Sequence, residues 1–220
     1  MTAELAAGKV KLVGGRLCLD FVNTVSPRAV SNQPLERERG GDYLTGHDKL
    51  TSYPALVAWS THAGLLSDKE ARRLLRSAGD QTKSAEVVLK RAVRLREAIY
   101  RIFRAKLTGR LAGEADLRAL NEELSIAKDH ERLVAKADGF AFEWDVPGVS
   151  LDRMLWPLAR SASEVLTSDE LDRVRQCGGE NCGWLFLDTS RNRSRQWCDM
   201  RDCGNLAKVR RFRQRQQEKQ

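Results

Sequence analysis

Apolar positions along the chain recur mainly at helical spacing, with two short stretches where they alternate as strands do. The first is Lys9-Val-Lys-Leu-Val13, an exposed-strand pattern that Gly14-Gly15 breaks. Leu17-Cys-Leu-Asp-Phe-Val-Asn-Thr24 comes next and fits either a strand or a helix. In the helical reading Leu17, Phe21 and Val25 repeat on one side while Asp20 and Asn23 share another. Residues 26–47 are rich in Arg, Glu, Gly and Pro without sustained period, and they predict a loop.

Helices dominate the chain from Ser52 to Leu166. Ser52 as N-cap, Pro54 in the first turn and Gly64 as the stop frame a helix around Leu56, Val57 and Trp59. Ser67-Asp-Lys-Glu70 has the form of a capping box, in which Ser and Glu satisfy first-turn donors reciprocally, and it predicts a short helix to about Ala78. Residues 84–107 carry the longest apolar stripe, Val88, Leu95, Ile99, Ile102 and Phe103, as the central helix of a bundle would. Lys90, Arg91, Arg94, Arg101 and Arg104 lie outside the stripe and read as a solvated face balanced by Glu86 and Glu97. A helix over 113–128 buries Leu117, Leu120 and Leu124. The second alternating stretch, Arg132–Lys136 and Phe140–Trp144 around Ala137-Asp138-Gly139, predicts a β-hairpin. Beyond Pro147-Gly148, Ser150 predicts the cap of a helix running to Leu166 that Pro157 bends, and Ser168-Asp-Glu170 caps a last turn. Trp59, Trp144 and Trp156 are expected in the core, with walling a pocket as the alternative, the lone Cys18 is expected to be buried, and His47, His62 and His130 are too scattered for a metal or catalytic role.

With 41% hydrophobic and 31% charged residues the composition is that of a globular chain, and it excludes a disordered one. No apolar run approaches the roughly 18 to 20 residues of a membrane span, and Lys9 and Lys11 interrupt any signal-peptide core, so the expectation is a cytoplasmic protein with no membrane partner. The net charge of +8 is concentrated near the C-terminus: residues 1–189 are nearly balanced, whereas residues 190–220 hold ten basic side chains against three acidic ones. A polyanion-seeking surface is therefore expected there.

The cysteines cluster in the same region. Cys177 and Cys182, separated by four residues, are followed after fifteen residues by Cys198 and Cys203 with the same separation. Two close pairs joined by a hairpin-sized insert are what a tetrahedral zinc site requires, since each pair supplies one edge of the tetrahedron. Four sulfur ligands leave no open position for water or substrate, which makes the ion structural. Residues 203–217 read as a helix from the last ligand, with Leu206, Val209 and Phe212 on a side expected to pack on Trp184–Leu187 and the basic residues turned outward. Arg191, Arg193, Arg195, Lys208, Arg210, Arg211 and Arg215 are the candidate nucleic-acid contacts, being forked guanidinium groups and an ammonium suited to phosphate oxygens. RNA or an acidic protein partner are the alternatives to DNA.

Residues 182–205, Cys-Gly-Trp-Leu-Phe-Leu-Asp-Thr-Ser-Arg-Asn-Arg-Ser-Arg-Gln-Trp-Cys-Asp-Met-Arg-Asp-Cys-Gly-Asn, resemble the CGNR zinc-finger family, and Leu-Cys-Leu-Asp-Phe-Val-Asn-Thr at 17–24 resembles the opening of the ABATE domain that precedes the finger in that family. The resemblance implies a stress-induced bacterial transcription regulator with Cys177, Cys182, Cys198 and Cys203 as zinc ligands. Leu206 stands where the family signature has its Arg.

Together these readings predict a mainly α protein with a small β-hairpin (α+β). A helical regulatory domain over 1–174 would precede a treble-clef-like finger of knuckle, hairpin and helix over 175–220, and loss of metal would unfold residues 177–217 while leaving the helical domain standing. The finger is expected to bind DNA, with the N-terminal domain controlling it through a small-molecule effector or as a homodimer. Asp20, Asn23 and Thr24 are the candidates to line a ligand pocket, against the alternative that they bond local backbone. No nucleophile and base can be paired from spacing, so no enzymatic activity is expected.

Overall fold

The computed structural model describes residues 3–28, 47–146, 148–180 and 182–217. The chain begins with a short helix α1 (Ala3–Ala7), and residues 9–13 form no strand. The alternation there has another origin: Val10 is buried against the core, Val13 reaches the cysteine cluster and Lys11 points to charged partners. Residues 17–24 resolve as helix, α2 (Leu17–Val22), followed by β1 (Val25–Ser26), which pairs with β2 (His47–Asp48). Most of the loop expected over 26–47 lies outside the described residues.

The helices beyond obey their local signals. In α3 (Tyr53–His62) the Ser52 hydroxyl accepts from the Ala55 N–H, and in α4 (Asp68–Asp80) Ser67 and Glu70 close the capping box. The 26-residue α5 (Thr82–Leu107) buries Val88, Ala92, Leu95, Ile99, Ile102 and Phe103 and packs against α2, α3, α4 and α6 (Glu114–Asp129). The predicted hairpin forms as β3 (Glu131–Lys136) and β4 (Gly139–Trp144), with Leu133 opposite Phe142. Helix α7 (Leu155–Leu166) starts later than Ser150 predicts, with Met154 at the N-cap. Pro157 therefore sits in its first turn, where amide hydrogens have no intrahelical partner, and does not interrupt the helix.

The basic face of α5 is solvated only in part: Lys90 and Arg94 are exposed, whereas Arg91, Arg101 and Arg104 are half-buried. Arg91 reaches Glu123 and Asp152, Arg94 reaches Glu122, and Arg101 reaches Asp116, so α5 is braced to α6 by charge. Arg96 is fully buried and donates two hydrogen bonds, at 2.7 and 2.8 Å, to the carboxylate of Asp48 and a third to Glu97. Glu97 in turn meets Arg28, whose backbone leads to the finger. Arg96 gives no sequence signal, because it differs from its exposed neighbours only in what faces it.

After a 3₁₀ turn (Asp169–Arg173), β5 (Val174–Gln176) pairs antiparallel with β6 (Leu185–Leu187), then a π turn (Met200–Gly204) leads into α8 (Asn205–Gln217). The finger's hairpin thus joins the two sides of the first cysteine pair, and among the described residues the insert between the pairs contains no strand beyond β6. Val174, Leu185 and Leu187 belong to the same buried cluster as the helices. At about 1.5–3 kcal/mol for each fully buried aliphatic side chain, that burial fastens the finger to the helical domain rather than tethering it.

Candidate metal centre and nucleic-acid interface

Cys177 follows β5, Cys182 precedes β6, Cys198 precedes the π turn and Cys203 lies within it. Their four sulfur atoms lie within 4.8 Å of one another; Cys198 Sγ is 3.6 Å from Cys182 Sγ and 3.8 Å from Cys203 Sγ. A tetrahedron of thiolates about 2.3 Å from zinc has edges of about 3.8 Å, so the cage has the right size and the right donors. The backbone N–H groups of Gly179 and Cys198 donate to Cys177 Sγ at 3.4 and 3.3 Å, stabilising negative charge on that sulfur. Thiols of Cys182 and Cys198 beside it favour the Cys177 thiolate further, and the same closeness pushes the Cys198 thiol up. Protons alone let one sulfur of the group ionise easily; a divalent cation lets all four do so. The cluster is a structural zinc site.

Close approach of backbone makes the cage. A Cβ on Gly179 would lie 3.0 Å from Cys182 Cβ and 3.2 Å from Cys203 Sγ. One on Gly183 would lie 2.5 Å from the Arg28 carbonyl, and its φ of +69° is one that L side chains rarely adopt.

The helical domain holds the cage at several points. The carboxamide of Asn23 donates to the Leu185 carbonyl at 2.8 Å and accepts from the Leu185 N–H at 2.9 Å, satisfying the outer edge of β6 as a third strand would. The Arg28 N–H donates to the Cys182 carbonyl at 2.8 Å, Trp184 Nε1 donates to the Val25 carbonyl at 2.9 Å, and Lys11 pairs with Asp199 and Asp202 across the second cysteine pair.

Of the two readings of Asp20, Asn23 and Thr24, bonding to backbone holds for all three, and only Asp20 also lines a cleft. Asn23 is consumed by Leu185, and the Thr24 hydroxyl donates to the Phe21 carbonyl and accepts from Arg96. Asp20 alone reaches a cleft, of about 490 Å³, shared with Arg16, Trp144, Arg160, Ser161 and Glu164. Burial pushes the Asp20 carboxyl up to about 6 although the Gly14 N–H donates to it at 2.7 Å. Cys18 is buried as expected, and burial raises its thiol to about 12.

The basic residues divide into two sets. Arg191, Arg193, Lys208, Arg211 and Arg215 are exposed; Arg210 is exposed and pairs with Glu180. Arg195 is different: its guanidinium lies 4.5 Å from the centre of the Phe186 ring and donates to the carbonyls of Trp197 and Cys198, so it holds the second knuckle. A second cleft of about 490 Å³ beside the cage is lined by Arg175, Arg193, Arg195, Gln196 and Trp197, of which the sequence singles out Arg193 and Arg195. Helix α8 has no buried residue. Leu206, Val209 and Phe212 are 59%, 47% and 63% exposed, so their expected packing on Trp184–Leu187 does not occur; Leu185 and Leu187 are already buried in the helical core and Phe186 against the cysteines.

The ABATE family model, described as a putative stress-induced transcription regulator, matches residues 15–169. The CGNR zinc-finger model matches residues 173–216. A comparison with curated proteins found no match. Among the described residues no helix is long and apolar enough to cross a membrane.

Proposed function

From a chain that belongs to the ABATE family and carries a CGNR zinc finger, we propose a regulator that acts in the cytoplasm, binds DNA through the finger and is controlled by its helical domain. The observation that carries this reading is α8, a helix started by the zinc cage that buries none of its residues and presents Lys208, Arg210, Arg211, Arg213 and Arg215 to solvent. Ordering by metal lowers the entropic cost of presenting those cations to a phosphate backbone. Arg191 and Arg193 extend the basic surface beyond α8. The Asp20 cleft is where a small effector would meet the helical domain, at the α2 segment that leads into Asn23.

The exposed apolar stripe of α8 favours a second reading, in which the finger grips a protein partner. Titration of a DNA duplex against salt separates the two. Phosphate contact predicts that affinity falls steeply between about 50 and 200 mM salt, and that replacing Lys208, Arg211 and Arg215 by Ala reduces the salt slope by about 3 with zinc retained. Affinity indifferent to salt would overturn the DNA reading.

A further inference from the structure

The β3–β4 hairpin has one apolar face that the protein leaves uncovered. Its register places Glu131 opposite Trp144, Leu133 opposite Phe142 and Ala135 opposite Phe140, and directly opposed residues share a face. At the base of that face Trp144 lies 6.0 Å, ring to ring, from the buried Trp156. Farther out, Phe142 is 55% exposed, Leu133 61% and Phe140 76%. A two-stranded sheet is marginal in water unless its apolar face is covered.

We propose that this face is the contact between two copies of the chain, related by a two-fold axis. The proposal deepens the regulatory half of the proposed function by locating a self-association surface, and its test contains no DNA, so either can fail alone. An isologous contact sets one patch against the same patch of the copy, so a patch of a single charge sign repels itself and one without net charge does not. The hairpin meets that demand. The other face carries Lys136 paired with Glu143, and at the base Arg160 pairs with Glu131 and lies 5.2 Å over the ring of Phe142. The apolar stripe of α8 fails it, because Lys208, Arg210, Arg211, Arg213 and Arg215 on the same helix would be brought against the same cations of the copy. The area also fits: Leu133, Phe140 and Phe142 expose about 350 Å² together at ~200 Å² for a whole aromatic side chain. That is most of the apolar share of the roughly 800 Å² each partner contributes to a stable interface.

Sedimentation of the full zinc-loaded chain over a concentration series tests this. The expected result is a dimer, twice the 24.8 kDa of one chain, that Phe140→Lys dissociates with at least a 30-fold rise in Kd. Phe140 is the most exposed of the three, so the thermal transition of that variant, measured at a concentration where the wild type is monomeric, should match the wild type. Phe212→Ser on α8 should leave the dimer unchanged. A monomeric wild type, a dimer that survives Phe140→Lys, or a dimer lost in Phe212→Ser would each overturn the proposal.

Discussion

Replacing Asn23 by Ala tests whether the finger is part of the helical core or an appendage to it. Asn23 is 1% exposed and its carboxamide makes two hydrogen bonds to the backbone of Leu185, which is itself fully buried. Strand β6 has β5 on one side and α2 on the other, so no water replaces the lost amide. Leaving one buried donor and one buried acceptor unsatisfied costs about 1–3 kcal/mol each, or ~2–6 kcal/mol together. Against the ~5–15 kcal/mol that holds a typical domain folded, that is a large share. Urea unfolding of the zinc-loaded protein at neutral pH, followed by tryptophan fluorescence, should show the midpoint falling with an unchanged slope. Competition with a chromophoric chelator should show faster zinc release, because β5 and β6 position Cys177 and Cys182. Asn23→Asp keeps the acceptor but turns a carboxylate oxygen toward the Leu185 carbonyl, and should destabilise at least as much. A loss below about 1 kcal/mol for Asn23→Ala, with zinc release unchanged, would refute the account of the finger as fastened through β6.

Removing zinc should expose residues 182–184 and 197–217 to hydrogen exchange while 174–176 and 185–187 stay protected by the helical core; protection lost across both strands together would show that metal, not burial, holds the hairpin. The Asp20 carboxyl ionises near 3.8 when unfolded and at about 6 in the fold, so between those values the native state holds more protons and stability falls as pH rises. Asp20→Asn should therefore gain on the wild type through that window, by about 3 kcal/mol at most, and parallel pH profiles for the two proteins would contradict the burial assigned to the group. Arg96→Met should cost about 3–5 kcal/mol in urea unfolding, because Asp48 and Glu97 lose the guanidinium that compensates them. Arg96→Lys should recover only part of this, since an ammonium cannot make the paired bonds to Asp48; full recovery would mean that charge alone matters there.

What the amino-acid order determined by itself was whatever physics acts over a few residues. Ser52, the Ser67–Glu70 box and the turn before Gly139 act within one helical turn or one hairpin, and each appears where its spacing places it. The cysteine pairs belong with them, since their separation carries the geometry of the ion. Sequence and structure part where the partner lies far along the chain. Asn23 and Leu185 are 162 residues apart, Arg96 and Asp48 are 48 apart, and Lys11 meets Asp199 across 188. A polar residue inside an apolar run, or an arginine on a helix, looks the same in sequence whether water or a buried carbonyl faces it. The apolar stripe of α8 shows the converse: its periodicity predicts burial, but burial needs a free apolar surface opposite, and the side chains of β6 are already spent on the helices and the cysteine cluster. Local preference chooses the elements, whereas only the assembled core decides which of their faces meet protein and which meet solvent.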